Sequence, residues 1–200
     1  MRMKISVHPL AAAGMFLLFA ATPQSRAFGM IAAVLCHEAA HAFAARLLGI
    51  RVKRAVVLPI GISFETDAPR SYAAEFAVAA AGPAVNVLIC ALIKTGLFPS
   101  SAGVDALFAF SASFAALNLL PVRSLDGGTM LLSALSVPLG RDAAERVLDV
   151  TGTFSLAILW LVGIYVFFYG TENFALLVFV SFMFAQAVMK SGGAKNKNMC

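Results

Sequence analysis

The chain has 200 residues, of which 60% are apolar and only 12% charged, with a mean hydropathy of +0.88. A soluble domain carries about 45–50% apolar and about 25% charged residues, so a water-soluble enzyme and a disordered chain are both excluded. The formal net charge of +5 does not mark a nucleic-acid partner, because no basic stripe interleaves with aromatics.

Apolar stretches near the span length of roughly 17–25 residues predict an all-α polytopic membrane protein with about six transmembrane helices. They fall at 7–21, 27–48, 73–93, 104–120, 151–169 and 174–189. The first is short, and its Met1-Arg2-Met3-Lys4 start also suits a secretory signal, with Ser25-Arg26-Ala27 as a poor cleavage site. Charge favours a retained helix. With six spans and both termini in the cytoplasm, every Lys and Arg except Arg26 and Lys94 lies at or near a cytoplasmic end.

The second span is unusual in holding His37, Glu38 and His41 at its middle. Between the second and third spans, residues 51–64 are rich in β-branched and apolar types and are punctuated by Pro59 and Gly61. That composition predicts a short membrane-associated β element at the cytoplasmic face. An open sheet edge cannot face lipid, so it must pair or lie against protein. Residues 170–173 read as a tight hairpin between the last two spans. Without an internal repeat, 1–190 reads as one membrane domain, and the polar Gly- and Lys-rich 191–200 as a disordered cytoplasmic tail. Cys36, Cys90 and Cys200 are too widely spaced to encode a disulfide framework or a thiolate zinc site.

His37-Glu38-Ala39-Ala40-His41 is an H-E-x-x-H sequence inside a predicted helix. Residues four apart share a helix face, so both imidazoles can reach one metal ion while Glu38, rotated off that pair, is placed as a general base. Imidazoles with an open coordination position suit catalytic zinc. At this chain's own His and Glu frequencies the motif arises by chance on the order of once in a thousand such sequences. The bland alternative is a polar patch lining a solute pathway. Ionisable groups cost about 2.5–3.5 kcal/mol each at a helix centre, so three within five residues need a strong compensating partner, and a metal supplies one.

A third ligand is needed. His41 lies about 7 residues, or roughly 10 Å, from the cytoplasmic end of its span, so the ligand should approach from that side. Asp105 falls on the external side, and Asp142 and Asp149 are expected in a solvated loop with Arg141 and Arg146. Asp126 follows the fourth span, in a segment where Pro121 ends the helix and Gly127 and Gly128 permit a tight turn. Its alternative role is a helix N-cap. Asn86, in an apolar span, would most simply hydrogen-bond another helix, and Gly82-Pro83 reads as a kink. Cys36 points about 100° away from His37 and reads as a packing residue; His8 reads as structural.

Three motifs in order carry a resemblance: the H-E-x-x-H in an early span, Ala81-Gly82-Pro83-Ala84-Val85-Asn86 in the next, and Asn118-Leu119-Leu120-Pro121 with Leu125-Asp126-Gly127-Gly128 near the end of the fourth. The chain resembles the site-2 protease family of intramembrane zinc metalloproteases. Within it, Val7-His8-Pro9 and the Lys-Arg-x-x-x-Leu-Pro stretch from Lys53 to Pro59 resemble the stage IV sporulation protein FB branch, here without the C-terminal nucleotide-sensing CBS domain of that branch. The resemblance implies one Zn2+ held by His37, His41 and Asp126, with Glu38 as the catalytic glutamate. It implies that Asn118 holds the substrate or the oxyanion and that Gly82, Pro83 and Asn86 form a helix-breaking motif near the site.

It implies further a multi-pass protein of the bacterial cell membrane that cuts a membrane-associated substrate near the cytoplasmic face, a pro-sigma factor in the sporulation branch. Membrane inhibitor proteins would be further partners. A peptide bond inside a helix is shielded, so the substrate must unwind, and the 51–64 strands offer an edge to which it can add. Two other classes compete. A catalytically silent relative that only binds transmembrane segments has no need of Glu38. A metal or solute transporter would more often show internal repeats, and six spans would be few.

Overall fold

The structure, a computed structural model, describes residues 4–7, 23–58, 61–66, 71–169 and 181. The predicted spans at 7–21 and 174–189 lie outside the described residues except for Val7 and Ser181, as do His8, the 170–173 hairpin, the 191–200 tail and the question of a cleaved first segment. The chain divides into two compact units, Met1–Leu119 and Leu120–Cys200.

The first unit contains strand β1 (Lys4–Val7), helix α1 (Gln24–Leu47), strands β2 (Val52–Leu58) and β3 (Gly61–Thr66), and helices α2 (Tyr72–Lys94) and α3 (Ala102–Asn118). The β-branched stretch after α1 folds into two antiparallel strands, with Leu58 opposite Gly61 and a register shift between Val52 and Arg54. The N-terminal strand joins them: β1 runs parallel to β2, Lys4 opposite Arg54 and Val7 opposite Val57, giving the order β1-β2-β3. Among the described residues, both outer strands are therefore edges of this small sheet.

Local chemistry sets the helix ends. Residue Gly49, at φ +69°, closes α1 by letting its own N–H reach the Arg46 carbonyl (3.1 Å) and the Ile50 N–H reach the Ala45 carbonyl (2.9 Å). This is the left-handed C-terminal cap that glycine favours. Ser71 and Ser101 start α2 and α3, each hydroxyl accepting a backbone N–H from Ala74 (3.2 Å) and Val104 (3.3 Å).

Helix α1 packs against both α2 and α3, and these two pack on each other. At the α1–α3 crossing the backbones approach closely. A methyl group on Gly29 would meet the Gly103 carbonyl, the Leu107 nitrogen at 2.9 Å and the Ala106 Cβ at 3.2 Å. Small residues drive such approaches between membrane helices, where lipid removes the hydrophobic incentive. Gly29→Val is expected to destabilise the first unit by about 1–3 kcal/mol through overpacking, read as a lower unfolding midpoint in detergent. An unchanged midpoint would show that this crossing opens freely.

In the second unit, α4 (Asp126–Leu139) packs on α5 (Arg141–Tyr169). Gly140 joins them at φ +76°. Leu132, Ala144 and Leu148 form one core, and Val122 with Leu156, flanked by Leu120 and Leu125, forms another. The charged stretch from Arg141 to Val150 is helix, not the expected solvated loop. Its pattern is amphipathic: Ala144 and Leu148 are buried, whereas Arg141 and Glu145 pair one turn apart (3.2 Å) on the exposed side. Gly127 and Gly128 are likewise helical rather than a turn.

Among the described residues, α1, α2 and α5 are long and apolar enough to cross a membrane, and α3, with 17 residues, is a shorter apolar helix. Large apolar side chains such as Leu35, Phe43, Val87, Phe154 and Leu161 are exposed on these helices. In water such surface would drive aggregation; in a bilayer it is the lipid-facing surface.

Candidate metal centre

The two histidines of α1 meet as their spacing requires. The Nε2 atoms of His37 and His41 are 3.1 Å apart, with ring centroids separated by 4.7 Å and ring planes at 78°. His37 is 2% exposed and Glu38, next along the helix, 8%.

One face of α2 cradles this pair. Val78, Gly82 and Asn86 recur every four residues and so lie on one stripe. The His41 Nδ1–H donates to the Val78 carbonyl at 2.7 Å, and the Asn86 Nδ2 lies 3.2 Å from His37 Nδ1. Gly82, between them, provides space: a Cβ there would collide with Nε2 of His41 and come within 2.6 Å of Nε2 and 2.7 Å of Cε1 of His37. Pro83 has no N–H for the Ala79 carbonyl and crowds it, loosening the helix one residue beyond Val78. From α3, the Phe114 ring packs edge-on to His37 at 4.7 Å and stacks with Phe110.

This geometry fits a metal ion. Two nitrogens at about 2.0–2.1 Å from a tetrahedral zinc stand about 3.3 Å apart, close to the observed 3.1 Å. A carbonyl can only accept, so the Val78 contact places the His41 proton on Nδ1 and leaves the Nε2 lone pair for a ligand bond.

Asp126 belongs to the second unit and is the first residue of α4. The cap position is taken by Leu125, in extended conformation, so Asp126 is not the N-cap that its position before Gly-Gly suggested. The segment leading to it is held against its own unit. A Cβ on Gly128 would strike the Val122 carbonyl, and one on Gly152 would lie 3.0 Å from the Pro121 carbonyl. Close backbone packing, rather than turn formation, is what these glycines serve. Arg123 adds an exposed ion pair, with Nε (3.1 Å) and Nη2 (2.8 Å) both donating to Asp149 Oδ1. Such a pair contributes at most about 1 kcal/mol.

Asn118 is the last residue of α3, and its amide donates to the Phe114 carbonyl one turn back (3.1 Å). Cys36, about 100° around α1 from His37, is exposed and is not the packing residue expected. Sequence reasoning missed the Val78 carbonyl and Phe114. A backbone acceptor has no residue-type signal, and one phenylalanine among 17 carries none.

No protein-family profile matches the chain. Over 176 residues it is 32% identical to stage IV sporulation protein FB of Bacillus subtilis, covering 83% of this chain and 58% of that protein. Its fold is that of the solved site-2 protease from Methanocaldococcus jannaschii, at a TM-score of 0.68 and 21% identity, covering 96% of this chain and 93% of the other. In sequence and in fold the chain is similar to the site-2 protease family. This site-2 protease relative is also 27% identical over 139 residues to a zinc metalloprotease of M. jannaschii, covering 66% and 40% of the two chains. It is 36% identical over 112 residues to a putative zinc metalloprotease of Synechocystis, covering 52% and 29%. The chain thus spans 58% or less of the curated relatives it matches.

Proposed function

We propose that this chain is an intramembrane zinc metalloendopeptidase that cuts a membrane-associated protein near the cytoplasmic face of a bacterial cell membrane. The observation that carries this reading is the convergence of two imidazole Nε2 atoms at 3.1 Å beside a buried glutamate on an apolar helix. The zinc metalloprotease names of its relatives support it. His37, His41 and Asp126 would hold one zinc ion, Asp126 being the carboxylate that opens α4 behind a tightly held segment. Zinc, when bound, supplies Lewis acidity toward a carbonyl and acidifies a water.

The protein's own residues do the rest. Glu38 takes the proton of the attacking water and returns it to the leaving amine. Asn118 donates a hydrogen bond to the oxyanion through its amide. An unwound substrate segment adds to an outer strand of the β1-β2-β3 sheet, its backbone satisfied by the edge. The substrate class is a transmembrane or membrane-associated segment, and the likeness to stage IV sporulation protein FB makes a pro-sigma factor the first to try. Both termini are assigned to the cytoplasm by the Lys and Arg distribution.

The test is co-expression in membranes with a tagged membrane-associated pro-sigma factor and a panel of single-span proteins. Cleavage of at least one, abolished by a zinc chelator and restored by added zinc, is expected. Cleavage indifferent to chelation would assign the cut to a host protease. Zinc binding without cleavage of any panel member would make the chain a transmembrane-segment binder.

A further inference from the structure

Asn86 is fully buried on the apolar helix α2, and its Oδ1 finds no hydrogen-bond partner among the described residues. Its described polar contact is with His37 Nδ1, at 3.2 Å. Burying an amide with part of its hydrogen-bonding capacity unmet is unfavourable, so the residue is a poor choice for helix packing alone. An apolar side chain of similar size would pack there at less cost.

The imidazole gives the amide a purpose. His37 has two neutral tautomers. If the amide nitrogen faces Nδ1, it donates there, the ring proton sits on Nε2, and that N–H points at His41 Nε2. That tautomer cannot bind a metal through Nε2. A half-turn of the Asn86 amide exchanges Oδ1 and Nδ2 without changing its shape. Oδ1 then accepts the Nδ1–H, and the Nε2 lone pair faces the position between the two rings.

We propose that Asn86 is a positioning residue for His37, selecting with its Oδ1 the tautomer whose Nε2 can ligate a metal. The inference rests on the metalloprotease reading above and extends it to the residue behind the ligand. Val78 and Asn86 then perform one task twice, eight residues apart on one helix face: the Val78 carbonyl fixes His41, and the Asn86 amide oxygen fixes His37. Partners of this kind, on the far nitrogen of a ligating imidazole, typically change metal affinity by about 10–100-fold when removed.

The experiment uses the full chain purified in detergent, with zinc affinity measured by competition against a chromogenic chelator and folding followed by thermal unfolding. Asn86→Leu should bind zinc about 10–100-fold more weakly than wild type, with a midpoint equal or higher. Asn86→Asp, which offers only acceptors when ionised, should retain affinity close to wild type. Equal affinity in wild type and Asn86→Leu overturns the proposal, and so does an Asn86→Asp variant as weak as Asn86→Leu. If the leucine variant misfolds, the aspartate variant decides alone, because a donor role would make it lose affinity. A wild type that binds no zinc overturns the metalloprotease reading itself. A wild type that binds zinc and is weakened by His37→Ala but not by Asn86→Leu leaves that reading intact and removes only the role of Asn86.

Discussion

Glu38→Gln is expected to lower peptide hydrolysis by about 10²–10⁴-fold while zinc remains bound at wild-type stoichiometry. The substitution keeps the volume of the side chain in a site where it is 8% exposed, so packing is preserved. The amide cannot accept the proton of an attacking water, the property on which this role depends. Glu38 is rotated about 100° around the helix from His37 and is not one of the two imidazole ligands, so the ligand pair should be unaffected. The measurement pairs zinc content of the purified variant with cleavage of the same substrate. Wild-type turnover in this variant would move the base elsewhere, whereas lost zinc would make Glu38 a structural member of the centre.

The second large effect is expected at Gly82. An alanine there places a methyl within 2.6 Å of His37 Nε2 and against His41 Nε2, where no side chain can remain without displacement. The rings cannot give way freely, since the Val78 carbonyl holds one and Asn86 the other. Overpacking of this kind costs about 1–3 kcal/mol, which corresponds to about 5- to 150-fold in zinc affinity. Cleavage should fall with it and recover in part at high zinc, because the defect lies in ligand geometry and the general base is intact. Wild-type affinity in Gly82→Ala would show that α2 stands farther from the imidazoles than the structure has it.

Much of the fold was legible because membrane helices announce themselves by run length. The stretches 27–48, 73–93 and 104–120 anticipated α1, α2 and α3 to within a few residues at each end. The first turns of α5 were not legible by the same measure, since their buried residues, Ala144 and Leu148, are interleaved with charge. Periodicity rather than run length would have found them. Strand β1 was obscured because its four residues adjoin an apolar run that reads as a span.

In the candidate site, His37, Glu38 and His41 stood out because three ionisable groups on an apolar helix demand an explanation. Asn86 was visible as a polar residue needing a partner, but nothing in its spacing said that the partner would be His37. The function of Gly128 was misread from local sequence. Its lack of a side chain serves a contact with Val122, six residues away, and not a turn of its own.

The division of labour between α1 and α2 bears on how the chain is made. The ionisable groups are on α1, and the groups that hold their rings come 37 and 49 residues later. At about 5–20 residues per second of synthesis, His37 waits about 2–10 s for Asn86 to emerge. During that interval α1 alone carries three ionisable side chains, a type that is costly at a bilayer centre. On this cost the first of these helices is expected to stay within the insertion machinery until the second arrives, so that the two enter lipid together as a pair.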